Sequence, residues 1–453
     1  MVINLESKVI LVEFPWGRDK DPRVPLGHAS LLAMLSKVRG VECTSIVSPI
    51  NYDFNLTTIE REILNIEQNT ICNTHLAIGV YVWCEDVVRE LIYSLRKKGY
   101  SGQIILGGPQ ISYAQEGLES IYPEADVFIR GYGEFALAEI VKSGTKIMHK
   151  GVHYAGDSDL LEQTSVNLDL CPSPWLEGII PLENQNFIRW ETQRGCQFSC
   201  GFCQHKEAGA KLPKHNFNFN RIFDEIDLFC EYGVGDIAVL DPIFNSNPDS
   251  IQILKRFKQN NFQGKLSLQC RAELITDEFI DAASRLNVCL EFGLQTIHAD
   301  EGNAVNRRNN MAKVSQAIDK VNLAGIEYEF SIIYGLPEQS IESFIQTVDW
   351  CLRKSAPVIK AFPLMLLRGT DTEKRKEEWG LVSSNDAMSV VTESNTFSFD
   401  DWQLMGRISQ VLKETENKHP SRIEDILERA DSTRIMMDRF TPPKVLFPPK
   451  ISG

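Results

Sequence analysis

Short apolar runs alternate with amphipathic stretches along most of the chain, and the alternation falls into two sets. In the first, Lys8 to Val12 (KVILV), Leu76 to Val82 (LAIGVYV), Gln103 to Leu106 (QIIL) and Asp126 to Ile129 (DVFI) are continuous apolar runs, with Cys43 to Val47 a weaker one. Such runs suit parallel strands covered on both faces. Helical patterns lie between them, for example Leu31, Leu32 and Leu35, and Val88, Leu91, Ile92 and Leu95. This order predicts an α/β fold whose N-terminal part is a Rossmann-like doubly wound sheet, with ligands at the carboxyl ends of its strands. Two of those ends are glycine-rich, Gly107-Gly108-Pro109 and Gly131-Tyr132-Gly133-Glu134. Glycine there permits positive φ and close approach of backbone to a ligand, although tight turns use it for geometry alone.

The second set begins at Phe187 to Trp190 and continues with DIAVL (236–240), LSLQ (266–269), VCLEF (288–292), EFSII (329–333) and IKAFPL (359–364). Intervening stretches place Ile222, Ile226 and Phe229, or Val314, Ile318 and Val321, at helical spacing. Six strand-helix units predict a partial barrel, whose chemistry would collect at the C-terminal strand ends. Those ends carry Asp241, Arg271 with Glu273, Gly293-Leu294-Gln295, Tyr334-Gly335-Leu336-Pro337 and Arg368-Gly369-Thr370. Taken singly, such residues are as often caps or turn formers as ligands. Residues 146–185, broken by Pro172, Pro174 and Pro181, read as a linker. Residues 371–453 read as a small, mostly helical extension with a helix from Asp400 to Glu414 and a proline-rich tail, placed to cap the barrel mouth. The expected domains are therefore 1–145, the linker, 186–370 and 371–453.

The balance of 61 acidic against 47 basic residues, a formal charge of -14, disfavours nucleic acid and anionic membranes as partners. No apolar run has the length of a membrane span. Eleven cysteines without a recognisable signal segment point to a reducing, cytoplasmic setting.

Three of those cysteines change the picture. Cys196, Cys200 and Cys203, in RGCQFSCGFC, form a Cys-x3-Cys-x2-Cys array whose soft thiolates suit an iron-sulfur cluster. Three ligands on a cube of four irons leave one iron open to a non-protein ligand. A Cys3His zinc site using His205 is the competing reading, weakened by the lack of a second Cys-x2-Cys knuckle. Cys230, Cys270, Cys289 and Cys351 sit in apolar patterns and read as core.

At this array the sequence resembles the radical S-adenosylmethionine (SAM) superfamily. The wider string ETQRGCQFSCGFC resembles the branch with a cobalamin-binding-type domain in front of a partial (β/α)6 TIM-like barrel. LGGPQISY, IRGYGE, FGLQ, YGLPEQ and LLRGT strengthen that resemblance, which covers about residues 1–370. It implies a 4Fe-4S cluster on Cys196, Cys200 and Cys203, and SAM contacts from Phe202, Asp241, Arg271, Gln295, Arg307, Gly335 and Leu336. It also implies cobalamin contacts from Gly107, Gly108, Gly131 and Gly133.

The first strand is not followed by the Asp-x-His-x-x-Gly of histidine-ligated cobalamin domains; the next histidine is His28, in the following helix, so histidine on cobalt is not expected. The implied activity is reductive cleavage of SAM to a 5′-deoxyadenosyl radical and C-methylation of a small metabolite, natural-product intermediate or peptide, with flavodoxin or ferredoxin as reductant. A cyclisation, rearrangement, oxidation or ring contraction, and a non-enzymatic zinc or interaction protein, stand as alternatives.

Overall fold

The computed structural model describes residues 6–115, 117–205 and 215–432. Its front half runs β1 (Ser7–Glu13), α1 (Leu26–Leu35), β2 (Val41–Val47), α2 (Leu56–Gln68), β3 (Asn73–Gly79), α3 (Glu85–Lys97), β4 (Gln103–Gly107), α4 (Pro109–Ser112), α5 (Leu118–Ile121), β5 (Val127–Ile129), α6 (Gly133–Ser143) and β6 (Val152–Tyr154). The strand order is β2-β1-β3-β4-β5-β6, with β1 to β5 parallel and β6 antiparallel at the edge. Chain order reverses between β1 and β3, which opens a crevice at their carboxyl ends.

The apolar runs explain the sheet. Val9, Ile10, Leu11 and Val12 are all buried because helices cover both faces. Helix α3 shows the complementary logic: Val87, Val88, Leu91, Ile92 and Leu95 form its buried face. Glu85 and Asp86 in its first turn and Arg96 and Lys97 in its last complement the helix dipole.

The second half runs β7 (Phe187–Trp190), β8 (Gln193–Arg194), β9 (His215–Asn216), α7 (Phe219–Glu231), β10 (Asp236–Val239), α8 (Ser250–Gln259), β11 (Lys265–Cys270), α9 (Asp277–Ala283), β12 (Asn287–Gln295), α10 (Ala299–Ala304), α11 (Met311–Leu323), β13 (Glu327–Tyr334), α12 (Ile341–Arg353) and β14 (Val358–Pro363). Its parallel sheet has the order β14-β13-β12-β11-β10-β7, six strands whose two ends do not pair, as a partial barrel requires. Along β12, Val288, Leu290, Phe292 and Leu294 are buried while Cys289, Glu291, Gly293 and Gln295 on the other face are only partly so. The buried set packs against the helix layer, and the polar set faces the lumen.

Two expectations need correction. The segment 146–185 is not a bare linker: β6 extends the front sheet, Thr164 bridges to Gly131, and Trp175, Ile180 and Leu182 are buried in the core. Three-residue strands and isolated apolar anchors leave no periodic signal. The strand expected to reach Val82 ends at Gly79, where Val80 donates to Gly107 O (2.8 Å) and accepts from Gln110 N (3.1 Å), turning the chain away.

The extension contributes α13 (Asp371–Lys374), a hairpin of β15 (Val382–Ser383) and β16 (Val391–Glu393), α14 (Phe399–Glu414) and α15 (Ile423–Ser432). Val391 N donates to Leu364 O (2.8 Å), so the hairpin lies just past the end of β14. Helix α14 opens on a Ser398/Asp401 capping box. The proline-rich tail lies outside the described residues.

Candidate functional site

The cysteine loop starts where β7 ends. Asp241, directly after β10, is fully buried, and its carboxylate accepts from Thr192 N (2.7 Å), Gln193 N (3.2 Å) and the Thr192 hydroxyl. Asn247 Nδ2 donates to the same hydroxyl (2.9 Å). These bonds turn the chain from β7 into β8, which pairs with β9, and Gly195 then takes φ +83°. A side chain there would be strained. Burial pushes the Asp241 carboxyl up to about 7, against the hydrogen bonds that favour its charged form.

Cys196, Cys200 and Cys203 follow in a stretch without helix or strand, each partly exposed. The stretch is pinned from the far side of the barrel. Gly201 N donates to Val305 O (2.7 Å), Thr372 N donates to Gly201 O (3.0 Å), and Asn306 Nδ2 donates to Ser199 O (2.9 Å) and Oγ (2.8 Å). Two guanidiniums approach the thiols. Arg271 stacks over Phe198 at 4.0 Å and donates to Arg308 O (2.7 Å). Arg307 donates to Gly293 O, and its Nε is buried without a partner. Burial, then repulsion from Arg271, lowers the Arg307 pKa, while the neighbouring Cys200 sulfur opposes that shift. Burial raises the Cys196 thiol. Among the described residues, no three His, Cys, Asp or Glu side chains gather as tightly as one metal ion requires. A four-iron cube puts each thiolate on a different iron, which asks for a wider triangle than a single tetrahedral ion does.

The other expected residues are distributed unevenly. Phe202 is partly buried against the barrel core. Gln295 has φ +66° at the β12–β13 register shift, a strained conformation of the kind found at binding sites. Gly335 has φ +88°, and its amide and that of Leu336 donate to Gln339 Oε1 (2.7 and 3.2 Å). Those two amides are thus engaged within the turn, which leaves its carbonyls. Asp241, also expected among the SAM contacts, is engaged with the amides and hydroxyl at the start of the cysteine loop. Thr192, Gln193 and Gln339 fall within the strings ETQRGCQFSCGFC and YGLPEQ, but nothing local in the sequence marked them as the partners of Asp241 and of the Gly335 turn.

A second cavity, of about 420 Å3, opens at the carboxyl edge of the front sheet. Gly107, Gly108, Gly131 and Gly133 all line it. Gly108 (φ +93°) and Gly131 (φ +87°) are glycines for the sake of their turns, because a Cβ would come within 2.9 Å of Val80 or Thr164 backbone. Gly107 and Gly133 meet nothing closer than 3.7 and 3.4 Å, so their lack of a side chain keeps the cavity open. Glu13, His28 and Tyr81 supply polar walls, and Arg194 and Gly195 close the side toward the cysteines.

Arg194 joins the two regions. It pairs with Glu134 of α6 (2.6 Å) and Glu191 (2.7 Å), all three little exposed, and lies 5.4 Å from the Tyr132 ring centroid. Burial opposes its charge, but the two carboxylates outweigh that and raise its pKa. Arg368 forms a second tie, donating to Glu85 Oε1 (2.8 Å) and Gln110 O (3.0 Å). An open depression of about 560 Å3, lined by Lys8, Glu42 and Arg61 among others, shares no residue with either region.

A partial parallel barrel with a three-cysteine loop at its carboxyl end, behind a doubly wound sheet, defines a class of cluster-bearing α/β protein. Residues 190–351 match the radical SAM superfamily. It is 24% identical over 381 residues to 2-(S-pantetheinyl)-carbapenam-3-carboxylate methyltransferase of Streptantibioticus cattleyicolor, covering 72% of this chain and 54% of that protein. It is also 24% identical over 342 residues to the cobalamin-dependent radical SAM methyltransferase TokK of Streptomyces tokunonensis, covering 68% and 49%. The chain thus spans about half the length of these relatives. In fold it matches the cobalamin-dependent SAM radical enzyme OxsB, with a TM-score of 0.69 and 16% identity over 93% of this chain and 70% of that one. It also matches the radical SAM methyltransferase TsrM of Kitasatospora setae, with a TM-score of 0.66 and 15% identity over 84% and 77%. Among the described residues no helix is long and apolar enough to cross a membrane.

Proposed function

We propose that this chain is a cobalamin-dependent radical SAM methyltransferase acting on an unactivated carbon of a small metabolite, natural-product intermediate or peptide. The observation that carries this reading is a shared wall: Arg194 and Gly195 lead directly into Cys196 and also close the front cavity. Two ligand sites at the carboxyl ends of two parallel sheets therefore face one another. The chemistry of the bound groups is electron transfer from a 4Fe-4S cluster into SAM, which splits it, and methyl delivery from cobalamin.

The chain's own part is holding and shielding. Cys196, Cys200 and Cys203 hold the cluster, and the Arg271 and Arg307 guanidiniums beside them offset its negative charge. The Arg307 guanidinium, beside Cys200, is the cation placed to meet the SAM carboxylate. Gln295, with its strained backbone, and the Gly335-Leu336 turn flank the same barrel end, with Phe202 between the last two cysteines. Asp241 is a positioning residue for the cysteine loop. Gly107, Gly108, Gly131 and Gly133 form the corrinoid side. A flavodoxin or ferredoxin of the cytoplasm supplies the electron.

Anaerobic purification tests this reading. Iron and sulfide near four per chain, 5′-deoxyadenosine released from SAM under reduction, and corrin absorbance retained after added cobalamin are expected. Cys200→Ala should abolish 5′-deoxyadenosine release and leave the fold intact. Unchanged release by that variant would refute the cluster assignment.

A further inference from the structure

The turn after β14 is fastened to both halves of the protein within a few residues. Its Arg368 side chain reaches the front half, where Nη2 donates to Glu85 Oε1 (2.8 Å) and Nη1 to Gln110 O (3.0 Å). Glu85 is in turn held by the Tyr122 hydroxyl (2.7 Å) and by Gln110 Nε2. The Arg368 backbone reaches the other way: its carbonyl accepts from Gln204 Nε2 (2.8 Å), and Thr372 N donates to Gly201 O (3.0 Å). Tyr113, just past α4, closes the ring by donating its hydroxyl to Gln204 O.

These groups are sheltered. Gln110, Tyr113 and Tyr122 are buried, and the Arg368 and Glu85 side chains are 25% and 15% exposed. Arginine-carboxylate bonds in such a setting are stronger and more directional than those on an open surface. There is little slack either, since a Cβ on Gly369 would lie 2.4 Å from Tyr113 O. Gln204 follows Cys203 directly, and Gln110 lies two residues past Gly108. A short path of bonded groups thus runs from the glycine turn after β4, through Arg368, to the last of the three cysteines. Arg194 makes the matching connection beside the first cysteine, to Glu134 just past Gly133. The cysteine loop is held at both ends, and each end is tied to a different glycine turn.

We propose that Arg368 is a positioning residue that couples the two sites, so that filling one favours filling the other. A corrinoid seated on the Gly108 turn fixes Gln110 and with it the arginine fork. Gln204 and the cysteine loop then have less freedom left to lose when the cluster is taken up. Such coupling is reciprocal. The inference rests on the cobalamin reading above and adds to it a dependence between the two cofactors, carried by a side chain assigned to neither.

Equilibrium dialysis of hydroxocobalamin against the full chain, once with iron and sulfide loaded and once with both stripped, measures the coupling. The loaded chain should bind at least about fivefold tighter. Arg368→Met should bring the two affinities within about twofold of each other, while its iron content after loading stays at the wild-type level. Tyr113→Phe removes one hydroxyl from the same path and should lower the ratio at least about twofold. Direct contact between cluster and corrinoid predicts the opposite, a ratio that survives both substitutions.

Equal affinities of the wild-type chain in its two states would overturn the coupling and leave the cobalamin reading standing. A full ratio in folded Arg368→Met would overturn the assignment to Arg368. A full ratio in Tyr113→Phe, the variant that decides if Arg368→Met does not fold, would overturn the path through Gln204. Absence of binding in either state would overturn the cobalamin reading itself, and the inference with it.

Discussion

The cysteine loop and the front cavity both sit at the carboxyl edge of a parallel sheet, yet they are built by opposite means. The loop has no regular structure of its own and takes its course from groups elsewhere in the chain: the Asp241 and Asn306 side chains, and the backbone of Val305 and Thr372. The cavity is carved from strand ends and helix starts, and stays open because Gly107 and Gly133 put nothing into it. One region is a loop held at its edges, and the other is a hollow between regular elements. Sites that take a covalently ligated inorganic group can leave the last ordering step to the metal, whereas a site that recognises shape cannot.

Arg194 is where this contrast is most easily broken, since it belongs to both. Arg194→Met leaves the little-exposed Glu134 and Glu191 without their cation, and should cost roughly 3 to 5 kcal/mol of stability in chemical denaturation. Cluster content and corrin binding should fall together. Loss of only one of them would mean that the two regions are held independently.

Asp241→Ala falls mainly on the cysteine loop, although Gln193, which Asp241 holds, also lines the front cavity. It strands two backbone amides and a hydroxyl, for a cost of about 2 to 3 kcal/mol in the same assay. Iron content should drop while the front cavity still binds a corrinoid.

Glu13 sharpens the other side. Its folded pKa of about 8 lies above its ordinary 4.5, so the folded chain binds more protons than the unfolded one between those values. Stability is then fully present below pH 4.5 and declines as pH rises toward 8, by up to about 1.4 kcal/mol per unit from this group. Asp241, raised from 3.8 to about 7, adds a slope of the same sign over its own range. Glu13→Gln should flatten the part of the melting-temperature profile between pH 7 and 8, where the Asp241 contribution is fading; an unchanged profile there would place Glu13 outside the titrating set.

The features legible in the sequence were those written as repetition or spacing. All eleven apolar runs, five in the front sheet and six in the barrel, became strands, and the Cys-x3-Cys-x2-Cys spacing marked the loop. Features written in single residues were not legible. Asp241 was legible as a polar residue at a strand end, whereas its partners Thr192 and Gln193 are some fifty residues away in the chain, a distance local patterns do not cross. Gln339 satisfies the Gly335 turn from a position indistinguishable from a loop residue. His28 and Glu13 sit in the first helix and first strand, where a lone polar group among apolar ones carries no mark of facing a cavity.

Arg368 has a consequence for how the protein comes into being. It reaches Glu85 across 283 positions of chain, and neighbouring Gly369 lies so close to Tyr113 that a Cβ would come within 2.4 Å of its carbonyl oxygen. During synthesis the front sheet emerges from the ribosome long before the residue that fastens it to the barrel.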